Sequence, residues 1–331
     1  MMSMLLRSSS SFSATLRCLS LLCLSLLCLS LLGTSTRLAS ASSDALGAAA
    51  SSAPPSEALV AARDSELASG QFLSLDHTTG RSGFGLQASY LRYDTSQTGT
   101  TMTPLRLEVF GQIMGSGSVG AYTSAVMSRI DWQFTDPPPE IAGMTFTDSA
   151  ITGLEFGAVM TRRRANLEVI ARAGVSLPAA SDHDINGKGL NQMTAFARLT
   201  DLAMSAPSST VARLAVSPIW RAGRWLLRAD VGIDVPVDEP AGMDWQALGR
   251  FNAAAGLVIG AHQVGLESAT TVALEHVSDG ERAVHTVGLS YRHLGALQPF
   301  FGLQQTVATD VWPASELELT VIGGISAEFT R

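Results

Sequence analysis

Apolar and polar residues alternate through most of the chain after about residue 80. The last stretch, Glu316 to Arg331, is the longest regular example. Leu317, Leu319, Val321, Ile325, Ala327 and Phe329 share one face with Gly323. Glu316, Glu318, Thr320, Ser326 and Glu328 share the other, interrupted only by Ile322 and Gly324. A period of two marks a β-strand with unlike faces. This run exceeds the ~5–6 residues of an ordinary globular strand. It matches the ~9–11 residues of a strand that crosses a bilayer with one face in lipid and the other toward a lumen.

Eleven further segments carry the same signal. They fall at about 83–93, 103–113, 119–132, 151–162, 166–177, 210–221, 224–235, 249–260, 263–276, 283–293 and 297–308. In 224–235, Trp225, Leu227, Ala229, Val231, Ile233 and Val235 oppose Arg224, Arg228, Asp230 and Asp234. The segment 119–132 is less regular and carries Tyr122, Val126, Ile130 and Trp132. Residues 191–204 fit a helix better, with Met193, Phe196, Ala197, Thr200 and Met204 at helical spacing.

Connection lengths provide an independent check. The links after even-numbered segments are short: 115–118, 163–165, 222–223, 261–262 and 295–296. Those after odd-numbered segments are mostly longer: 94–102, 133–150, 178–209, 236–248, 278–282 and 309–315. Short periplasmic turns and long extracellular loops are the rule for outer-membrane barrels. The expected fold is all-β: a transmembrane antiparallel up-and-down β-barrel of about 12 strands over 81–331, with both ends periplasmic. Tyr90, Trp132, Trp220, Trp225, Tyr291 and Phe329 lie near strand ends, where interfacial aromatics belong.

Composition agrees. Of 331 residues, 46% are hydrophobic and 15% charged, against ~25% charged in soluble domains. No stretch beyond the N-terminal segment is apolar enough for a spanning helix. The net charge of −7 speaks against nucleic acid as a partner. Cys18, Cys23 and Cys28 all fall in the N-terminal segment.

That segment has the three parts of a secretory signal: Arg7 and Arg17, an apolar run from Cys18 to Leu32, and Ala39-Ser40-Ala41. Cleavage is expected after Ala41, giving export to a Gram-negative outer membrane. A lipoprotein signal is the competing reading, but Leu22 before Cys23 and Leu27 before Cys28 are bulky where small residues are preferred. A retained anchor is a further alternative, for which the run is short. Residues 42–80 are expected in the periplasm as an Ala/Ser-rich, partly disordered segment, with a short helix over Ser56–Ser69.

The candidate functional residues are the charges on the lumen face: Arg106, Glu108, Arg172, Arg213, Arg224, Arg228, Asp230, Asp234, Arg250 and Glu267, together with Glu155, Glu168, Glu275 and Arg292. In an open pore they set ion preference. Because both signs are mixed, the competing reading is that they pair and fill the barrel. Asp182, Asp184 and Asn186 open a D-x-D-x-N-G pattern like that of a calcium loop, but its twelfth position is Met193 instead of the required Glu. No G-x-S-x-G, H-E-x-x-H or phosphate-loop pattern is present. His262, His276, His285 and His293 sit near strand ends with no nucleophile motif beside them. No enzyme activity and no cofactor is expected.

The phrase SPIWRAGRWLLRADVGIDVP, residues 217–236, resembles a hairpin of the uncharacterised, transporter-like outer-membrane barrels of Gram-negative bacteria. The final strand, with Phe329 third from the end, resembles the C-terminal strand of such barrels. The resemblance implies outer-membrane lipid as surroundings, the barrel-assembly machinery as a partner of that strand, and a small solute as cargo. The leading expectation is therefore a passive channel for small solutes. The alternatives are a closed structural or surface-binding barrel acting through loops 133–150 and 178–209, an enzyme on the extracellular rim, and a secreted soluble β-sandwich.

Overall fold

The computed structural model describes residues 70–95, 100–116, 118–134, 145–179, 195–205, 209–237, 247–274, 283–309 and 319–329. The signal-like segment, residues 42–69, and the loop with Asp182, Asp184 and Asn186 lie outside the described residues, as do Glu275 and His276.

The described strands form one closed antiparallel barrel of 12 strands. They are β1 (Ser82–Leu91), continued past Arg92 by Tyr93–Thr95, then β2 (Thr100–Met114), β3 (Val119–Phe134), β4 (Thr145–Arg164), β5 (Leu167–Pro178) and β6 (Val211–Ala222). The second half comprises β7 (Trp225–Pro236), β8 (Leu248–Ile259), β9 (His262–Ala273), β10 (Ala283–His293), β11 (Gln298–Thr309) and β12 (Leu319–Phe329). Each strand pairs with its neighbours in sequence. β1 closes the ring by pairing with β12, Ser82 opposite Phe329, and with β2, Gly83 opposite Gln112. A closed ring leaves no sheet edge unpaired. It also rules out the sandwich, because one sheet closes on itself and no second sheet packs against it.

Three of the short connections are tight two-residue turns whose first residue is left-handed: Ala165 at φ 49, Gly223 at φ 57 and Gly260 at φ 58. That conformation matches the twist of the flanking strands. One end of the barrel therefore carries the short turns and the other the long connections. Extra residues interrupt the pairing at Thr152, between β3 and β4, and at Val307, between β10 and β11. Such bulges sharpen local twist.

The outer face is apolar around the ring. Phe84, Leu86, Val109, Leu154, Phe156, Leu214, Val231, Phe251, Leu266, Leu289, Leu303 and Val321 are all exposed. In water this belt would drive aggregation; in a bilayer it meets hydrocarbon. At the short-turn end the rings of Phe84 and Phe329 are 6.0 Å apart and those of Tyr291 and Phe301 5.1 Å apart. The Tyr291 hydroxyl is 2.8 Å from His262 Nδ1. Aromatic side chains with polar tips suit a headgroup boundary.

Strand β3 turns apolar residues to both faces. Tyr122, Val126 and Ile130 are buried in the lumen, while Ala121, Thr123, Met127 and Arg129 face out. The reason is that the lumen is filled rather than wet. Residues 70–80, expected outside the barrel, lie within it. They enter at the short-turn end beside Ile219, rise to the level of Asp76 and His77, and return to Arg81 at the start of β1. Phe72 and Leu75 join Tyr122, Met114, Val159, Ile170, Ile219, Leu226 and Val258 in a buried apolar cluster. Leu73 packs with Phe300 and Ile322. From the long-connection end a 3-10 helix, Ala195–Ser205, folds in and touches strands on opposite sides of the ring. Two non-helical residues, Arg198 and Asp201, break it into short turns.

Candidate functional site: a plugged, charge-lined lumen

The inner wall reflects strand geometry. On β2 the residues inward of the apolar face are Arg106 and Glu108, on β4 Glu155, on β5 Arg172, and on β6 Arg213. On β7 they are Arg228, Asp230 and Asp234, on β8 Arg250, and on β9 Glu267. All ten are buried. Arg224, placed among the lumen charges by strand parity, is exposed instead. It sits in the tight turn after Gly223, where the backbone reverses and parity along the strand no longer fixes direction. Arg292 is inward and donates to Ser326 Oγ at 2.6 Å, while Glu168 is half-buried and bound to Arg221 at 2.7 Å.

The wall charges form a chain of pairs. Glu155 accepts from Arg172 Nη1 at 2.9 Å, from Arg213 Nη1 at 2.5 Å and from the Tyr122 hydroxyl at 2.8 Å. Arg213 Nε also donates to Asp234 Oδ1 at 3.2 Å. Arg250 Nη2 reaches the same oxygen at 3.0 Å. Charge-assisted bonds of this kind offset the cost of burying ions.

The insert is held mainly through its backbone. Glu267 accepts from the amides of Leu73 at 3.0 Å and Ser74 at 2.5 Å. Asp230 accepts from the amide of Asp76 at 2.9 Å, and Arg228 donates to the Gly70 carbonyl at 3.0 Å. Gln112 donates to the carbonyls of Thr79 at 2.5 Å and Arg81 at 2.9 Å. Buried backbone groups that have no strand partner need such side-chain partners.

Four charged or titratable residues of the site had no place in the sequence reading. Asp76 forms ion pairs with Arg172 and with Arg250, the latter at 3.6 Å. His77 stacks on Phe110 with ring centroids 3.9 Å apart, and its Nε2 lies 3.5 Å from Glu108. Arg198 pairs with Glu108. Asp201 accepts from Arg213 at 2.7 Å and from Arg106 at 3.1 Å. The available signal was Phe72-Leu73 and Leu75 ahead of Asp76 and His77, an apolar cluster unlike a solvated linker.

Burial pushes the His77 pKa below its ordinary 6.5, and Arg198 adds to this against the opposing pull of Glu108. For Asp76, burial favours the neutral acid, but Arg172 and Arg250 outweigh it and hold the group down at about 2. Asp201 is held well below the carboxylate range by Arg213 and Arg106, against the same burial effect.

A cavity of about 40 Å³ remains between insert, helix and wall, bordered by Asp76, His77, Glu108, Tyr122, Arg198 and Arg213. That is room for a few waters. Insert and helix thus occupy the lumen at this level. Among the described residues no group of three or more His, Cys, Asp or Glu is placed to hold a metal.

A solved structure shares the architecture. An outer-membrane channel from Pseudomonas putida F1 aligns with a TM-score of 0.52 at 9% identity, covering 77% of this chain and 97% of that one. This is the outer-membrane β-barrel fold. The NanC porin aligns at 0.45 and 7% identity, covering 74% and 100% of the two chains. Outer membrane phospholipase A from Escherichia coli aligns at 0.37 and 10%, covering 80% and 97%. At 9% identity the likeness to the Pseudomonas putida channel is one of fold alone. No protein-family model matches the sequence, and no curated protein does.

Proposed function

We propose that this barrel is a passive outer-membrane channel for small polar solutes, held shut by its own N-terminal segment. The observation that carries the reading is the way residues 70–81 occupy the lumen. They add no strand to the ring, and they are held by side-chain contacts to Glu267, Asp230, Arg228 and Gln112. A segment held so can leave without breaking any strand pair. The wall behind it is dense in charge and pre-formed by the strands. With the N-terminus periplasmic, the insert acts from the periplasm and the helix Ala195–Ser205 from the cell surface.

The second reading is a closed structural or surface-binding barrel. It is favoured by the apolar cluster around Phe72 and Leu75, which makes the insert part of the barrel's core. Planar-bilayer recordings separate the two. The full chain is compared with a form lacking residues 70–80, each first shown to be folded by a heat-dependent gel shift. Under the channel reading the full chain conducts rarely and the deleted form often. Silence from both folded proteins would leave the closed barrel as the reading.

A further inference from the structure

Each acidic side chain brought into the lumen by an inserted segment lies between two arginines of the wall. Asp76 pairs with Arg172 on β5 and Arg250 on β8. Asp201 bridges Arg213 on β6, at 2.7 Å, and Arg106 on β2, at 3.1 Å. These four guanidinium groups are strand-borne and buried. The acids are not strand-borne: Asp76 rides on the N-terminal insert and Asp201 on the broken helix.

We infer that the two arginine pairs are the recognition site for a small organic carboxylate, and that Asp76 and Asp201 occupy it until the solute displaces them. The inference deepens the channel reading above and rests on the inserts leaving the lumen.

Charge counted over the groups that touch the two arginine pairs supports a carboxylate. In this network the wall supplies four arginines against three fixed acids, Glu108, Glu155 and Asp234. The inserts supply Asp76 and Asp201 against Arg198, so the filled lumen is neutral in these groups. Withdrawal of the inserts removes the carboxylate that each arginine pair shares, while Glu108, Glu155 and Asp234 keep their own contacts to the same arginines. Each of the four guanidinium groups then has one charge-assisted partner fewer, a place that another carboxylate can take. A carboxylate solute restores the missing bonds in the same planar geometry. A neutral solute restores neither charge nor charge-assisted bonds, and phosphate brings more than one negative charge where each displaced aspartate supplied one.

The test reads displacement of the insert. In the full chain with Thr78→Cys, reaction of position 78 with a bulky water-soluble maleimide is followed by peptide mass in proteoliposomes. Thr78 is buried beside the site, so its reaction requires the insert to move. Butyrate at about ten times its Kd should speed the reaction about tenfold by mass action. Its neutral isostere butyramide and inorganic phosphate should leave the rate unchanged. No acceleration by butyrate, or equal acceleration by butyramide or phosphate, overturns the inference.

The D76N/D201N variant of the same protein should react quickly without butyrate. Slow reaction in that folded variant would also overturn the proposal, and if it does not fold the Thr78→Cys series decides alone. The readout does not depend on ion flow. A protein that responds to butyrate but never conducts loses the channel reading and keeps this site. One that conducts but ignores butyrate keeps the channel and loses the site.

Discussion

The guanidinium of Arg198 lies 3.1 Å from the Nε2 atom of His77. The two residues belong to segments that enter the lumen from opposite ends, and both rest on Glu108 of β2. Arg198 can only donate, so in this contact the ring nitrogen accepts, an arrangement that the lowered pKa of the buried imidazole favours.

The barrel should therefore open with acid. His77 faces Glu108 on β2, which Arg106 also contacts, Arg198 on the helix, and Asp76 on its own segment. Its pKa is depressed when buried and ordinary, 6.5, when the insert is out. The released state thus takes up the proton more readily. Stability of the inserted state is full above about 6.5 and declines as pH falls from there toward the depressed value. Asp76 acts in the same direction at lower pH. Its contribution is present above its ordinary 3.8 and is lost as pH falls through about 2. Bilayer recordings from pH 7.5 to 5 should show rising open probability, and His77→Gln should flatten that rise. An unchanged pH profile in the variant would assign the response to other groups.

Glu267 should act as the latch of the insert. Its two carboxylate oxygens take the amides of Leu73 and Ser74. Hydrogen bonds to a charged group contribute about 1.5–3 kcal/mol each. In Glu267→Ala both buried amides lose their partner, while every strand pairing remains. Protease nicking within residues 70–81 should become at least about tenfold faster, with little change in the temperature of the gel shift. Equal destabilisation of insert and barrel would mean that the two are a single cooperative unit.

Phe72 tests the apolar hold on the same segment. Its side chain is buried against Gly256 and Gly265, where an added Cβ would lie 3.1 and 2.9 Å from the ring. Phe72→Ala should weaken insertion by about 3–5 kcal/mol. Gly256→Ala places a methyl against the Phe72 ring tip, with its next contact at Leu226 Cβ, 3.6 Å away. It should release the insert more mildly, leaving heat-modifiability of the barrel intact. Conductance, or protease access to residues 70–81, reads both.

The strands were legible because a lipid-facing stripe is a strict period-two signal. Segments 224–235 and 283–293 lie within one residue of β7 and β10 at each end. The inner face follows no such rule once it is packed by protein. Tyr122, Val126 and Ile130 look like a lipid stripe and instead line the lumen, where Phe72 and Leu75 join Tyr122 in an apolar cluster. The helix in the 178–209 loop was visible from Met193, Phe196 and Met204, but not its inward course. That course is set by Arg198 and Asp201 finding Glu108, Arg106 and Arg213, charges far away in sequence. The insert is too short to show any period. Arg224 was misplaced by one residue of turn geometry.

That one residue separates two arginines on a single hairpin sharply. Arg213 on β6 binds Glu155, Asp201 and Asp234 at once. Arg213→Ala strips three buried carboxylates of a shared partner, and breaking even one such pair costs about 3–5 kcal/mol. Arg224→Ala removes an exposed turn residue and should change stability by no more than about 0.5 kcal/mol. The temperature of the heat-dependent gel shift should fall clearly for Arg213→Ala and stay in place for Arg224→Ala. In the form lacking residues 70–80, the zero-current potential across a salt gradient should move toward cation preference in Arg213→Ala and remain fixed in Arg224→Ala. A shift for Arg224 equal to that for Arg213 would place the turn arginine in the conduction path, against its exposed position beside Gly223.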